Sequence, residues 1–144
     1  LTRWTDAGLI EADVAARVGL SQSPCWRRIH RLESEGYVER RVAVLDRRRL
    51  GFRVMVFVHV KLVRGARNSV AEFEEQVRAF PEVLECLLIT GQQSDYQLKV
   101  VVRDMDAYQD LLLNKITRIQ GVTGVHTSFV LRKVVDRTAL PVGV

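Results

Sequence analysis

Hydrophobic residues switch from helical to strand spacing early in the chain. In the first part, Cys25, Ile29 and Leu32 are spaced i, i+4 and i+7, which predicts a helix with one buried side. In the second part, four valines and a leucine from Val54 to Leu62 occupy every second position, which predicts a strand. The pattern therefore indicates an α+β protein whose helical part precedes a part that contains a sheet.

The helical part is predicted to contain two short helices joined by a glycine turn. Val14, Ala15 and Val18 give the first helix an apolar side. Gly19 follows where a helix commonly ends in a left-handed residue, and Ser21 is a favourable N-cap for the second helix. This is the layout of a helix-turn-helix, whose second helix enters the DNA major groove.

The outward side of the second helix is polar and basic, with no acidic residue before Glu33. A face that is only solvated usually mixes both signs of charge, so the pattern favours DNA contact over an ordinary pair of packed helices. Hydrogen-bonding side chains near the helix start can reach base edges, and arginines can meet guanine or phosphate. The outward residues are Gln22, Ser23, Trp26, Arg27, His30 and Arg31.

The segments around the two helices complete an expected DNA-binding domain over residues 1–45. The chain starts at Leu1 without a methionine, so we expect the helix that precedes a helix-turn-helix to be truncated, with Trp4 remaining from its packing face. Tyr37–Leu45 alternates as a short strand or strand pair that could form a wing beside DNA. Residues 46–53 are expected to form a hinge, where the run Arg47–Arg49 is interpreted as solvated linker rather than as a phosphate contact.

Residues 54–144 are predicted to form a second domain in the order strand, helix, strand, strand, helix, strand. This βαββαβ order is that of the ferredoxin-like fold, with both helices on one face of an antiparallel sheet. Ser69 is the expected cap of the first helix, and Asp104 or Asp106 of the second. The strands are expected over 54–62, 83–90, 96–103 and 125–135, and the inward helix residues are Val70, Phe73, Val77 and Phe80, then Tyr108, Leu112, Ile116 and Ile119.

The sheet face without helices carries Met55 and Phe57 beside His59. An exposed apolar face usually marks a partner surface, so we expect self-association through this domain, most simply as an isologous dimer. A dimer would also supply two recognition helices for a palindromic DNA site.

Charge and cysteine content indicate which kind of partner and which cellular compartment to expect. Net charge is +5 with a pI near 9.7, and the excess is denser in residues 1–51, which favours nucleic acid as the partner. No apolar run is long enough to span a membrane, and no signal-peptide pattern opens the chain. Cys25 and Cys86 have no partner spacing for zinc or for a disulfide framework, so we expect a cytoplasmic protein without a metal or cofactor.

Several segments together resemble the leucine-responsive/asparagine-regulator (Lrp/AsnC, feast/famine) family of transcription regulators. The resemblance implies an N-terminal winged helix-turn-helix and a C-terminal ferredoxin-like domain that senses an effector and oligomerises. It also implies homodimers that assemble further, commonly into octamers. The matching segments are VGLSQSPCWRRIHRLESEGY, FPEVLECLLITG, DYQLKVVV, LLLNKITRIQGV and TSFVLRKV.

Carried over by position, the resemblance makes Ser21–Glu35 the base-reading helix. Ser23, Trp26 and Arg27 would contact bases directly, with Arg28 and Arg31 toward phosphate. The implied DNA-binding residues are therefore Ser21, Gln22, Ser23, Trp26, Arg27, Arg28 and Arg31.

Effectors of the family, which are amino acids, lie between subunits near the turn between the second and third strands. Gly91 would let backbone amides approach a carboxylate, and Asp95 could hold an ammonium group; a plain hairpin turn is the alternative. The turn here is one residue longer than in many members and carries Gln92 and Gln93, which leaves the effector open. The implied effector-binding residues are Leu88, Thr90, Gly91, Asp95, Met105, Ser128, Phe129 and Val130.

Two other functions compete with a DNA-binding regulator that responds to a small effector. The siroheme decarboxylases resemble the same two-domain layout, but catalysis needs converging titratable groups. His30, His59 and His126 fall on three elements; the last two could meet across the sheet, yet no catalytic set is completed, so no enzyme is predicted. A metabolite-sensing oligomer without a DNA role is disfavoured by the arginine-rich helix.

Overall fold

The computed structural model describes residues 11–63, 67–91 and 93–142. The expectations for Trp4 and the rest of residues 1–10, and for Gln92, lie outside these residues. The described residues form two compact units. One contains the described residues up to Leu45 together with those from Lys133 onward, and the other lies within Asp46–Arg132. The segment after Arg132 thus groups with the first unit, although the second domain was expected to extend to the end of the chain.

The first unit contains the expected pair of helices, α1 (Glu11–Val18) and α2 (Gln22–Ser34). Gly19 adopts the left-handed conformation, with φ of 68°, so the turn that separates the helices needs a residue without a Cβ. Ser21 occupies the N-cap position of α2, but its hydroxyl makes no capping hydrogen bond. The helix-turn-helix is therefore present, and its cap residue keeps a free side chain.

A small core joins the two helices. Its buried members are Val14, Ala15, Cys25 and Ile29, with Leu20 packed against them. The prediction that Val18 faces inward is wrong, because this last residue of α1 is 39% exposed. Leu20, which follows the turn, takes the packing position instead.

The strand predicted over Tyr37–Leu45 is not formed: residues 38–46 have neither helical nor strand structure. Val42, Val44 and Leu45 are largely exposed. A strand needs a neighbouring strand to pair with, and none of the described strands pairs with this segment. Alternation alone was therefore insufficient to specify a wing strand here.

The expected hinge contains a well-bonded turn. The Asp46 carboxylate accepts hydrogen bonds from the amides of Arg48 (2.9 Å) and Arg49 (3.2 Å). The Arg47 guanidinium donates to the carbonyls of Phe52 (2.6 Å) and Arg53 (2.9 Å). Arg47 is thus committed to holding the chain at the entrance to the sheet.

The second unit has the predicted ferredoxin-like arrangement, with a four-stranded sheet in the order β2-β3-β1-β4. Every adjacent pair of strands is antiparallel. The strands are β1 (Val54–Leu62), β2 (Val83–Leu88), β3 (Tyr96–Val102) and β4 (Val122–Phe129), and the helices are α3 (Arg67–Arg78) and α4 (Met105–Asp110), the latter continued by a π-helical turn (Leu111–Lys115) and a 3₁₀ turn (Ile116–Arg118).

Both helices pack on one face of the sheet. Alternate residues of β1 and β3 meet Phe73, Val77, Tyr108 and Ile116 in a single core. The Asp104 carboxylate caps α4 by accepting from the Ala107 amide at 2.8 Å, as one of the two predicted alternatives required. This packing leaves the opposite face of the sheet for other contacts.

Four details of the second unit correct the prediction. Ser69 lies inside α3, which begins at Arg67, so it is not the cap. Its side chain is buried against Gly121: a Cβ added to Gly121 would lie 2.6 Å from the Ser69 Cβ. Val70 is 43% exposed, because Phe73 and Val77 carry the inward stripe. The wider π turn buries Leu111 more completely than the predicted Leu112. The second strand ends at Leu88 and the third at Val102, and the last strand starts and stops earlier than predicted.

The face opposite the helices is less exposed and less apolar than predicted. Met55 pairs directly with Val101 across β1 and β3, and these two side chains are 5% and 6% exposed. Phe57 is half-buried. The expectation of Met55 as an exposed partner surface is therefore wrong, and the exposed large apolar residues of the sheet include Leu84, Leu87 and Leu88 on the edge strand β2. We call the side of the sheet that carries His59 the open face.

Candidate functional site

The first candidate site is the exposed side of α2. Arg27 and Arg28 are exposed, and neither makes a hydrogen bond or ion pair to another described residue. Together with Pro24 and Arg31 they border a shallow depression of about 350 Å³. Two uncommitted guanidinium groups that border one depression form a surface suited to phosphate or to a guanine edge.

The C-terminal end of α2 is different, because its cations are paired. The Arg31 Nε donates to Glu35 at 2.6 Å, and this hydrogen bond raises the pKa of the guanidinium. His30 lies 3.1 Å from Glu33, which is also bound by Arg41 at 2.6 Å. The positive charge that is free to meet a ligand therefore lies nearer the start of the helix.

The remaining predicted contact residues also lie on this exposed side. Ser21, Gln22 and Ser23 are exposed at the helix start. Trp26 is 50% exposed, and its ring packs edge-on against His30 with centroids 4.1 Å apart. All seven residues that the resemblance implied are thus exposed, and three of them, Arg27, Arg28 and Arg31, border the same depression.

The second candidate site is a cavity of about 580 Å³ on the open face of the sheet. His59 and His126 are directly opposite each other in the β1–β4 register, and their ring centroids are 6.1 Å apart. The two histidines therefore do meet across the sheet. The residues that line the cavity are His59, Ile89, Thr90, Gly91, Gln93, Ser94, His126 and Ser128.

Three of the eight predicted effector residues, Thr90, Gly91 and Ser128, line this cavity. Asp95 does not. Its carboxylate accepts from the Lys61 Nζ at 3.0 Å and from the Leu62 amide at 2.8 Å. Asp95 therefore holds the turn between β2 and β3 against β1.

The other predicted effector residues lie elsewhere on the second unit. Phe129 packs edge-on against Tyr108, on the helix side, while Ser128 faces the cavity. Consecutive residues within a strand point to opposite faces of the sheet, so Phe129 points away from the cavity that Ser128 lines. Leu88 and Met105 are 72% and 52% exposed, and the Val130 amide donates to the Met55 carbonyl at 2.9 Å.

Sequence reasoning did not assign Ile89, Gln93, Ser94 or the two histidines to the cavity. The alternation of β1 and β4 was the available signal, since it put His59 and His126 on the same face. Within the described residues, no group of three or more His, Cys, Asp or Glu side chains could hold a metal ion. None of the described helices is long and apolar enough to cross a membrane.

Comparisons with known proteins match both units. The family described as "Lrp/AsnC ligand binding domain" matches residues 55–140, and "Winged helix-turn-helix DNA-binding" matches residues 5–39. The chain is 43% identical over 136 residues to the Bkd operon transcriptional regulator of Pseudomonas aeruginosa, covering 94% of this chain and 88% of that relative. It is 36% identical over 129 residues to the Leucine-responsive regulatory protein of Escherichia coli strain K12, covering 90% and 78%. A Neisseria meningitidis transcriptional regulator solved in complex with L-Met superposes with a TM-score of 0.87 at 34% identity, covering 94% and 87%.

Proposed function

The chain belongs to the Lrp/AsnC family of transcription regulators, and from this premise we propose how its two units divide the regulatory work. It is a DNA-binding transcription regulator with an amino-acid-binding domain, and its relatives are regulators rather than enzymes. We propose that α2 reads duplex DNA and that the cavity on the open face binds an amino acid. Binding of the amino acid changes assembly or DNA affinity.

The pair of uncommitted arginines on α2 carries the DNA part of this proposal. Ser23, Trp26 and Arg27 contact bases, because they lie on the exposed side near the helix start. Arg28 contacts phosphate. Arg31 contributes less, since Glu35 already satisfies its guanidinium. Ser21 and Gln22 complete the contact surface at the N-terminal end of the helix.

Replacement of Arg27 tests this assignment. Duplexes selected from a random pool by the wild-type protein supply a specific site, and Arg27→Ala should weaken binding to it by about 1–3 kcal/mol. The loss on random duplex should be smaller. Arg118→Ala removes the same charge from an exposed position of the other unit and is the matched control. Equal losses on both duplexes would assign Arg27 to phosphate, and an unchanged affinity would remove it from the interface.

The cavity carries the effector part. It offers the hydroxyl groups of Thr90 and Ser128, and Gly91 has no side chain to keep a ligand away from its backbone. The similar regulator from Neisseria meningitidis was solved with L-Met, which supports an amino acid as the ligand. Asp95 contributes by fixing the turn. Leu88, Met105, Phe129 and Val130 are proposed to complete the site from a second copy of the chain, which requires a homodimer or a larger assembly such as an octamer.

Calorimetry against the twenty amino acids, followed by light scattering, tests the effector part. We expect one or a few amino acids to bind and to change the assembly size or the affinity for the selected duplex. The absence of binding by all twenty would contradict it. On the same family basis we propose a cytoplasmic location, with DNA binding assigned to residues 1–45, a hinge to 46–53, and effector binding and oligomerisation to 54–144.

A further inference from the structure

The cavity on the open face is lined mainly by side chains that carry no charge. Among the described residues that line it, His59 and His126 are the ones with a side chain that can carry charge; the others are neutral side chains or glycine. A free amino acid carries a carboxylate and an ammonium group. The lining therefore offers no permanent charge to either group, and the imidazoles are the side chains that can supply one.

The charged residues near the two histidines are already paired. Lys61, two residues along β1, is bound to Asp95 at 3.0 Å. Lys99 of β3 is bound to Glu85 of β2 at 2.7 Å. Gln97 lies directly opposite His59 on β3, and Gly124 and Ser128 flank His126 at alternate positions on β4. The groups that face the pair from the neighbouring strands are thus neutral or neutralised.

The environments of the two rings differ. The Nδ1 atom of His59 is buried and has no hydrogen-bond partner. A proton on this atom would have no acceptor among the described residues, so we expect the ring to carry its proton on Nε2. The other ring belongs to His126, which is exposed.

We propose that His59 and His126 together bind the carboxylate of the amino-acid ligand, with His59 donating from Nε2 and His126 supplying a positive charge when protonated. This inference rests on the proposed function of the cavity. A bound carboxylate favours the imidazolium, so binding takes up a proton and tightens as the pH falls. Between pH 6 and pH 8 a free amino acid stays largely zwitterionic, so the change in affinity reports the protein.

Calorimetry of the full chain with L-methionine at pH 6 and pH 8, in the presence of EDTA, tests this proposal. We expect the dissociation constant to be about tenfold lower at pH 6, because a charge-assisted hydrogen bond is added. The heat should depend on the ionisation enthalpy of the buffer, since a proton is taken up. L-Methioninamide, which lacks the carboxylate, should bind at least about tenfold more weakly at pH 6 and lose the pH preference.

Three variants separate the roles. His126→Gln should lose affinity at pH 6 and become insensitive to pH, whereas His59→Gln should bind more weakly at both pH values and keep the pH dependence. His30→Gln removes the third histidine, which lies in the other unit, and should behave like the wild type.

The outcomes distinguish this inference from the proposed function. Equal affinity for L-methionine at both pH values, unchanged binding in the variants, loss of binding on addition of EDTA, or no binding of L-methionine would each overturn the assignment of the pair. Failure of all twenty amino acids to bind would overturn the effector part of the proposed function as well.

Discussion

The two units of this protein build their surfaces and cores in opposite ways. Among the described residues, the helix-turn-helix has a core of four buried side chains, whereas the core of the sheet unit has fourteen. The exposed side of α2 carries uncommitted arginines, but the open face of the sheet carries paired charges and two histidines. A small core gives limited stability. We therefore expect core substitutions to cost more free energy of unfolding in the sheet unit, and surface substitutions on α2 to act mainly on DNA binding.

The largest effect is expected in the sheet core. Phe73 is fully buried, so Phe73→Ala leaves a cavity and should lower the free energy of unfolding by about 3–5 kcal/mol. Denaturant titration followed by circular dichroism measures this loss. Val70→Ala, on the same helix but 43% exposed, should cost less than about 0.5 kcal/mol. Equal losses for the two variants would show that α3 is packed in another orientation.

The small core should respond through DNA binding rather than through the whole fold. Ile29→Ala removes one of its four buried side chains and should cost about 2–3 kcal/mol. Hydrogen exchange of the α2 amides should accelerate and DNA binding should fall, while the amino acid found by calorimetry should bind as it does to the wild type. Val18→Ala, at a 39% exposed position, is the control. A parallel loss of amino-acid binding would contradict the proposal that the sheet unit binds the ligand.

Asp95 tests whether the turn beside the cavity is held by its carboxylate. Asp95→Ala removes the bonds to Lys61 and to the Leu62 amide, and should cost about 1–3 kcal/mol. Binding of the amino acid found by calorimetry should weaken, and the DNA affinity should stay unchanged. Glu85→Ala breaks the more exposed pair with Lys99 and should cost at most about 1 kcal/mol. An Asp95→Ala variant with the stability and the ligand affinity of the wild type would show that this carboxylate does not hold the turn.

The two cysteines report the smallest effect, a difference in reactivity without a change in stability. Cys86 is exposed, although partial burial of its thiol raises its pKa, whereas Cys25 lies in the small core. A disulfide reagent should modify Cys86 before it modifies Cys25. The rate at Cys86 should be lower than that of an unperturbed thiol at the same pH. Its rate should keep rising with pH beyond the usual range, because less thiolate is present at a given pH. Single Cys→Ser variants assign the two phases, and Cys25 reacting first would contradict the buried core.

Much of the fold could be predicted from periodicity because packing imposes it. Phe73 and Val77 are spaced four apart and face inward, and the alternation of β1 gives a fully buried row on the helix side. The predictions failed where a neighbour in space decides the outcome. Tyr37–Leu45 alternates but does not pair with any of the described strands, and Met55 is covered although its strand alternates.

The α2 surface and the cavity on the open face also differ in how far they could be predicted from the sequence. The exposed side of a helix follows from residue spacing along one segment, so the outward positions of α2 could be predicted from the sequence, while their contact with DNA stays a prediction. The cavity is assembled from β1, β4 and a turn, and alternate strand residues point away from it. Ser128 therefore lines the cavity while Phe129 does not, and Asp95 is engaged by Lys61, a partner distant in sequence.

The salt dependence of DNA binding tests most directly whether the free cations of α2 meet the phosphate backbone. We predict that the wild-type affinity falls steeply with salt, and that Arg28→Ala lowers the slope of log K against log salt by about 1, since one fewer counterion is released. Arg118→Ala should leave the slope unchanged. A flat response of the wild-type protein, or an equal change in both variants, would contradict the account.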